Sequence, residues 1–512
     1  MNPMLPLFVI IPLAGAFLIM ILGKFFRELN KYLASLLLLS LAVLSVSAIV
    51  GNAGGFSVYR AGGWAPVDNV PVGIYMVLDS FNIIILCIVN ILGFLAAIYS
   101  ISYISRYTSG NYFYSLFCLM IAGMNGVVLS GDIFNIFVFV EISAISSYAL
   151  VAFGVDKPEL EATFKYQVLG GLASFLILFG IGFIYWKAKT LNIADIREAF
   201  TAGYDRKYYL FVQLLILSGF GLKAAIIPFH SWLPDAHSSA PSPISAMLSG
   251  VLIKAIGIYV IVRLFFNMFE ISTSVALLIT TLGALSMVIG VFLAIEQWDI
   301  KRLLAYHSIS QMGYVVLAAG MGMILLSKGV KQEVAILALT GGLFHLINHA
   351  AFKGLLFLNA GAIEYSTGAR DLKDMGGLAR AMPATSSTSM IASLSIAGIP
   401  PFNGFFSKLI IIIAAVMARF YLLAILAVLA SIITLASFMK FQRYAFHNQD
   451  QEEKRDKVKE VPFPMVFSMI TMALMCILLS LLAIPSLREE ILTPAINVLL
   501  NPGSYSSAIL GM

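Results

Sequence analysis

Gly219-Phe-Gly-Leu-Lys223-Ala-Ala-Ile-Ile-Pro228-Phe-His230 sets a lysine, a proline and a histidine in a stretch that is otherwise apolar or small. Proline removes a backbone donor and clashes with the preceding turn, so a helix through this stretch must break. A second stretch has the same ingredients: Ala397-Gly-Ile-Pro400-Pro401-Phe-Asn-Gly404-Phe-Phe-Ser-Lys408. In hydrocarbon a broken helix is tolerated only where the freed backbone groups meet protein or water. Pro-kinked helices that serve packing alone are the plainer reading. A lysine within about two turns of each break argues against it, because broken helices of inverted-repeat transporters line the transport site.

Outward from these stretches, the chain reads as membrane-embedded throughout. Of its 512 residues, 60% are hydrophobic and only 11% charged. The mean hydropathy of +0.94 is too high for a globular domain that must cover itself with polar surface. About 14 apolar runs are long enough to cross roughly 30 Å of hydrocarbon. They include 3–23, 76–104, 132–154, 207–229, 242–266, 333–362, 385–413 and 462–484. The expected fold is an all-α polytopic membrane protein with no soluble domain. Its segments are 1–105 (helices 1–3), 106–270 (a first five-helix repeat, helices 4–8), 271–445 (a second, inverted repeat, helices 9–13) and 446–512 (a cytoplasmic loop, helix 14 and a short tail). Helices 7 and 12 are the broken ones.

Met1–Gly23 reads as a retained span, because helix-end charges follow it instead of a small-residue cleavage site. Cys87, Cys118 and Cys476 each lie alone in an apolar run, which predicts neither a disulfide framework nor an iron–sulfur cluster. The net charge of +6 is scattered over loops without interleaved aromatics, so no nucleic-acid partner is expected. With the N-terminus outside, the cytoplasmic loops hold about 17 of the Lys and Arg residues and the outer segments about 11. Lys24, Arg27, Lys31 and the run Gln449–Glu460 contribute most, and both termini are expected outside. The segment Lys187–Lys207 dissents, and its length and mixed charge suggest a surface helix.

Four lysines, Lys223, Lys254, Lys353 and Lys408, sit inside apolar runs, with Glu141 as the obvious counter-charge. An ionisable group at membrane depth is costly unless it faces a partner or a wet cavity, so each is a functional candidate. Glu141 follows Gly131-Asp-Ile-Phe-Asn-Ile-Phe-Val-Phe-Val, where a lone carboxylate would be neutral and a nearby ammonium would restore its charge. A neutral structural glutamic acid is the alternative. Snorkelling to the interface is the alternative for the lysines, and it fits Lys223 poorly. His230 is seven residues beyond Lys223, across the break. Leu343-Phe-His345-Leu-Ile-Asn-His349-Ala-Ala-Phe-Lys353 puts two histidines and a lysine at successive i, i+4 positions, a stripe suited to proton hopping. A zinc site is disfavoured, since no third ligand is near in sequence and the further histidine, His307, lies on another span. Two ordinary core histidines remain the bland alternative.

At these residues the chain resembles the antiporter-like subunits of complex I and its relatives. The resemblance rests on Gly131–Glu141, on Gly221-Leu-Lys223-Ala-Ala-Ile-Ile-Pro-Phe-His-Ser-Trp-Leu-Pro-Asp235-Ala-His, on Asp299-Ile-Lys-Arg-Leu-Leu-Ala-Tyr-His307-Ser-Ile-Ser-Gln-Met-Gly313 and on Pro400–Lys408, in that order over about residues 76–445. The form of the Glu141 motif is similar to the D-type component of Mrp sodium/proton antiporters and to the matching component of archaeal membrane-bound hydrogenases. The resemblance implies fourteen helices, inverted repeats at helices 4–8 and 9–13, and Glu141, Lys223, Lys254 and Lys408 as titratable centres of a proton path. His307 stands where a serine is more usual, which adds a titratable site. Little chain follows the fourteenth helix, so the long lateral helix of the most distal complex I subunit is not expected.

The expected function is proton, or cation/proton, translocation by an antiporter-like membrane subunit of a multi-subunit respiratory or Mrp-type complex in a prokaryotic cell membrane. His230, His307, His345, His349 and Lys353 are the expected relay. No cofactor or metal is expected, so any redox step belongs to another chain. The partners are other membrane subunits, protons, sodium as the alternative ion, and lipid. A self-contained Na+/H+ antiporter and a structural spacer without transport are the competing readings. The sequence leaves the host complex open among antiporter, hydrogenase, sulfur reductase and quinone oxidoreductase.

Overall fold

The computed structural model describes residues 3–26, 28–51, 55–64, 71, 73–107, 109–201, 203, 205–448 and 458–510. Arg27 and most of the charged run Gln449–Glu460 lie outside the described residues. The chain opens with α1 (Leu7–Leu22) and α2 (Leu29–Gly51), followed by a hairpin of β1 (Ser57–Arg60) and β2 (Tyr75–Leu78), paired antiparallel with Ser57 opposite Leu78. Next come α3 (Ser80–Tyr103), α4 (Gly110–Leu129), α5 (Ile133–Val151), α6 (Lys157–Ala188), α7 (Ile193–Thr201), α8 (Arg206–Lys223) and α9 (Trp232–Ser239). Then follow α10 (Ser242–Met247), α11 (Tyr259–Asn267), α12 (Thr273–Ile295), α13 (Ile300–Ser327), α14 (Gln332–Thr367), α15 (Leu378–Ala381) and α16 (Pro383–Ala397). The series closes with α17 (Asn403–Met417), α18 (Tyr421–Gln442), α19 (Phe463–Leu478), α20 (Pro485–Leu500) and α21 (Pro502–Leu510).

Eleven helical stretches among the described residues are long and apolar enough to cross a bilayer, with Leu7–Leu22 and Asn403–Met417 as shorter apolar helices. The sequence suggests about 14 spans, and the difference has a local cause. The first run folds into a short helix, 385–413 is divided by its break, and α8, which the other break ends at Lys223, carries three basic residues, Arg206, Lys207 and Lys223. The run 76–104 also needs correction, because residues 76–78 belong to β2. Asp79 fixes the helix start: its carboxylate accepts from Phe81 N and Asn82 N, each at 2.9 Å, while Asn82 Oδ1 accepts from Asp79 N at 2.8 Å.

The helices sort by polarity opposite to those of a soluble protein. The span Ser242–Asn267, with the charged Lys254 and Arg263, is wholly buried, and α13 and α14 are nearly so. On α2, α6 and α18, most of the apolar residues face outward. Lipid demands an apolar exterior and leaves the interior to whatever polar groups the function requires. Where two central helices touch, small residues let the backbones approach. A Cβ added at Gly283 of α12 would stand 2.5 Å from Leu317 N of α13, and one at Gly290 would stand 2.7 Å from Ser310 N.

Both divided runs stop where the prolines are. Beyond Lys223 the chain turns through Ala225 at φ 53° and the cis Ile227–Pro228 bond before α9 starts. Beyond Ala397 it turns through Gly398 at φ 80° and the cis Pro400–Pro401 bond before α17 starts. A third interruption carries no proline: between α10 and α11 the helix widens into two π turns, Leu248–Leu252 and Lys254–Ile258. The stretch after 484, which the sequence suggests is a short tail, forms α20 and α21. These pack back on the bundle, with Asn267 Nδ2 donating to Val498 O at 2.9 Å.

Candidate functional site

Asp132 starts α5 by accepting a hydrogen bond from Asn135 N at 2.8 Å, which accounts for the polar residues ahead of the Glu141 motif as a helix cap. Two and a half turns on, Glu141 meets Lys223, the last residue of α8, with 3.2 Å between Oε1 and Nζ. Ser174 of α6 joins them: its hydroxyl donates to Glu141 Oε1 at 2.5 Å and accepts from Lys223 Nζ at 3.0 Å. Lys223 is buried at 2% exposure whereas Glu141 is 28% exposed. The exposed side of Glu141 shares its helix face with Phe134, Val138 and Ile145, all outward-facing. A carboxylate thus stands near mid-helix on the outer surface of the chain.

The freed backbone around Lys223 is satisfied by side chains. Ile227 N donates to Ser286 Oγ at 3.0 Å and Trp232 Nε1 to Leu222 O at 3.0 Å. His230 lies half-buried in the turn, and its Nδ1 has no hydrogen-bond partner among the described residues. Lys254, on the π turns, is buried and donates to Ser249 O and Gly250 O, each at 2.7 Å. No carboxylate contacts it among the described residues.

On α14, His345, His349 and Lys353 are all fully buried. His345 Nδ1 is 3.0 Å from Ser407 Oγ, and its Nε2 has no partner among the described residues. Neither nitrogen of His349 has one, nor does Lys353 Nζ, which lies 5.8 Å from the centre of the Phe357 ring. Lys254 is within Coulombic reach of both, and Lys408 within reach of His345 and His349. His307 on α13 is fully buried beside Phe438, its ring nitrogens likewise unpartnered among the described residues. Lys408 closes the row. Its ammonium donates to Ile396 O at 2.7 Å and Ser431 Oγ at 3.3 Å and stands 5.2 Å from the Tyr314 ring centre.

The structure therefore brings Glu141 and Lys223 into contact and places His345 and His349 within electrostatic range of Lys254 and Lys408, with His230 at the first turn and His307 within range of Lys353 and Lys408. Sequence reasoning missed several participants. Ser174 gave no signal, since single serines are common in apolar helices, and Ser407 and Ser431 are the same case. His237 did give one. It lies on α9 within the stretch that holds His230, and it is fully buried with both nitrogens unpartnered among the described residues, within Coulombic reach of Lys353 and Lys254. Among the described residues no group of three or more His, Cys, Asp or Glu could hold a metal ion, and the cysteines are free and buried.

These features define a class: a polytopic membrane chain with lysines and histidines buried in its interior and an ion pair between Lys223 and a partly exposed carboxylate, Glu141. Residues 130–434 match the family described as NADH:quinone oxidoreductase/Mrp antiporter, transmembrane, and residues 64–114 match the N-terminus of chain 5 of NADH-ubiquinone oxidoreductase (complex I). The chain belongs to the NADH:quinone oxidoreductase/Mrp antiporter membrane family. It is 34% identical over 427 residues to the D-type component of the Na(+)/H(+) antiporter of Alkalihalophilus pseudofirmus, covering 83% of each chain. With the N-type component of the NADH-quinone oxidoreductase of Desulforudis audaxviator it shares 35% identity over 365 residues, 70% of this chain and 69% of that one. Among solved structures, a chain of the Mrp complex from Dietzia sp. DQ12-45-1b superposes with a TM-score of 0.88 at 27% identity, covering 99% of both. A chain of the membrane-bound sulfane sulfur reductase, an archaeal respiratory membrane complex, superposes at 0.89 and 27% identity, with 99% of this chain and 100% of that one covered.

Proposed function

We propose that the chain moves protons, or exchanges a cation for protons, as an antiporter-like subunit of a multi-subunit membrane complex in a prokaryotic cell membrane. The observation that carries this reading is the Glu141–Ser174–Lys223 contact together with buried basic groups that have no carboxylate partner among the described residues. Among the described residues Lys254 and Lys408 are held by backbone carbonyls and a serine, so a proton on either is compensated by dipoles and not by an opposite charge. Breaking the Glu141–Lys223 pair would release an ammonium into this row and push its protons along by repulsion. Buried imidazole nitrogens without a protein partner call for water, and water between His237, His349 and His345 is the medium in which protons hop.

The proposal extends to the architecture. The breaks after Lys223 and Ala397 stand at corresponding places in two five-helix units of opposite orientation, helices 4–8 and 9–13 of a fourteen-helix chain, with both termini outside. Glu141 on the outer surface supports an adjacent membrane subunit, because a carboxylate facing hydrocarbon near mid-depth is costly. The redox or coupling chemistry of such a complex would reside in other chains.

The test is ion translocation by the assembled complex in vesicles with Glu141→Gln, which keeps shape and hydrogen bonding but cannot exchange charge. Assembly is expected to persist and most translocation to be lost, and full transport by a normally assembled variant would sink the proposal. Reconstituting the chain alone separates it from a self-contained antiporter, which would exchange sodium for protons without partners.

A further inference from the structure

Where α6, α9 and α13 meet at one face of the bundle lies a cavity of about 350 Å3, lined among others by Glu161, Lys165, Asp235, Ser239, Arg302 and Arg370. Its charges are arranged around one carboxylate. Asp235 Oδ2 is 3.0 Å from Lys165 Nζ of α6, and Asp235 Oδ1 is 2.6 Å from Arg302 Nη1 of α13. Lys165 also pairs with Glu161 at 2.7 Å. Arg370 Nη2 lies 3.2 Å from Asp299 Oδ2 and donates to Ser238 O at 2.6 Å. Burial alone would raise the Asp235 carboxyl, but the hydrogen bonds from Lys165 and Arg302 outweigh it and hold the group below the usual carboxylate range.

The position of Asp235 in the fold matters as much as its partners. It lies on α9, the short helix that follows the first break, two residues before the buried His237. On one side of α9 is the cavity, on the other the buried row. The cavity walls carry three cations: Lys165 pairs with Glu161 and Asp235, Arg370 with Asp299 and Arg302 with Asp235, so the mouth is close to neutral only while Asp235 is ionised. A narrow mouth with low-dielectric walls focuses whatever charge it carries.

We propose that this cavity is the vestibule through which a monovalent cation, hydronium or sodium, reaches the buried lysines and histidines, with Asp235 as the positioning residue that cancels Arg302. The inference rests on the translocation reading above. With Lys165 still paired to Glu161, loss of the Asp235 charge would leave Arg302 uncancelled at the mouth, where it would repel an arriving cation without touching the chemistry further in. Removing the Asp235 charge therefore raises the cation concentration needed for half-maximal rate more than it lowers the maximal rate.

The experiment uses the assembled complex in vesicles, with initial translocation rates measured against cation concentration at two ionic strengths. Proton pulses without sodium and sodium titrations at fixed pH separate the two cations. Asp235→Asn is expected to raise the KM for one of them on the order of tenfold at low ionic strength. The deficit should shrink when an impermeant salt is added, and again when Arg302→Gln is combined with Asp235→Asn. An unchanged KM, or a loss that neither salt nor Arg302→Gln relieves, overturns the vestibule. Glu141→Gln is run in parallel. If it loses transport while Asp235→Asn keeps a normal KM, the vestibule alone fails, whereas full transport in both removes the translocation reading beneath it. Should Asp235→Asn not assemble, Ser239→Cys serves instead, because the native cysteines are buried. A positively charged thiol reagent placed there should slow transport more than a neutral one of equal size, and equal rates after full labelling overturn the proposal.

Discussion

At the first break Lys223 ends α8 and meets a carboxylate, Glu141 Oε1 at 3.2 Å. At the second, Lys408 sits in the opening turns of α17 and meets no carboxylate among the described residues; it meets the Ile396 carbonyl at 2.7 Å, the Ser431 hydroxyl at 3.3 Å and the Tyr314 ring at 5.2 Å. The lysines also stand on opposite sides of their breaks, Lys223 before the turn and Lys408 after it. The first is an ion pair, so its state depends on whether Glu141 stays close. The second is an amine held by dipoles, so that gain or loss of its proton is felt by its surroundings. If the chain works as proposed, the first break is where a push originates and the second is where it is delivered.

Lys223→Ala should have the largest effect, because it strands Glu141 and Ser174 near mid-depth without their cation. Most translocation is expected to be lost, together with about 1–3 kcal/mol of stability, less than for a fully buried pair because Glu141 is partly exposed. Thermal melting of the solubilised complex reads the loss of stability. The double variant Lys223→Met with Glu141→Gln should recover the melting temperature but not the transport. Recovery of both would mean that the pair is structural.

Lys408 tests the other side of the comparison. Arginine can donate to Ile396 O as lysine does, yet it does not release a proton at any reachable pH. Lys408→Arg should therefore assemble normally and transport on the order of tenfold more slowly or worse. Activity near wild type, with alanine destabilising the protein, would make Lys408 a helix-break anchor and nothing more.

Between the two breaks, His345→Ala with His349→Ala should slow proton movement by roughly an order of magnitude without abolishing it, since water replaces an imidazole only in part. Normal rates in vesicles would show that protons take another route. Smallest of all, Ser174→Ala should cost about 1 kcal/mol, one hydrogen-bonding hydroxyl, and shift transport modestly. A loss as large as that of Lys223→Ala would show that the serine, not the direct contact, holds the pair together.

Much of this was legible before any coordinates. Pro228 and Pro400-Pro401 announce their breaks because proline acts through local geometry, and the buried lysines announce themselves because charges are rare in apolar runs. The π turns at 248–258 were not legible, as no residue type marks them. Nor was the helical end of the chain, where Arg488, Glu489 and Glu490 dilute the apolar pattern, although Pro485 and Pro502 at helix starts were a usable signal. The ties of Asp235 to Lys165 and Arg302 join residues 70 and 67 positions apart, and only the tertiary fold brings them together.

The outward side of Glu141 has a consequence for biogenesis. Until a neighbour covers it, every newly inserted copy carries a polar defect near mid-bilayer, framed by Phe134, Val138 and Ile145. The chain can be woven into the membrane by its apolar exterior, but it is finished only on docking. Synthesised without its partners, it should be short-lived and cleared by membrane quality control. Lys223→Met combined with Glu141→Gln, which removes both charges at that defect, should lengthen the lifetime of the orphan chain even as it disables the assembled one.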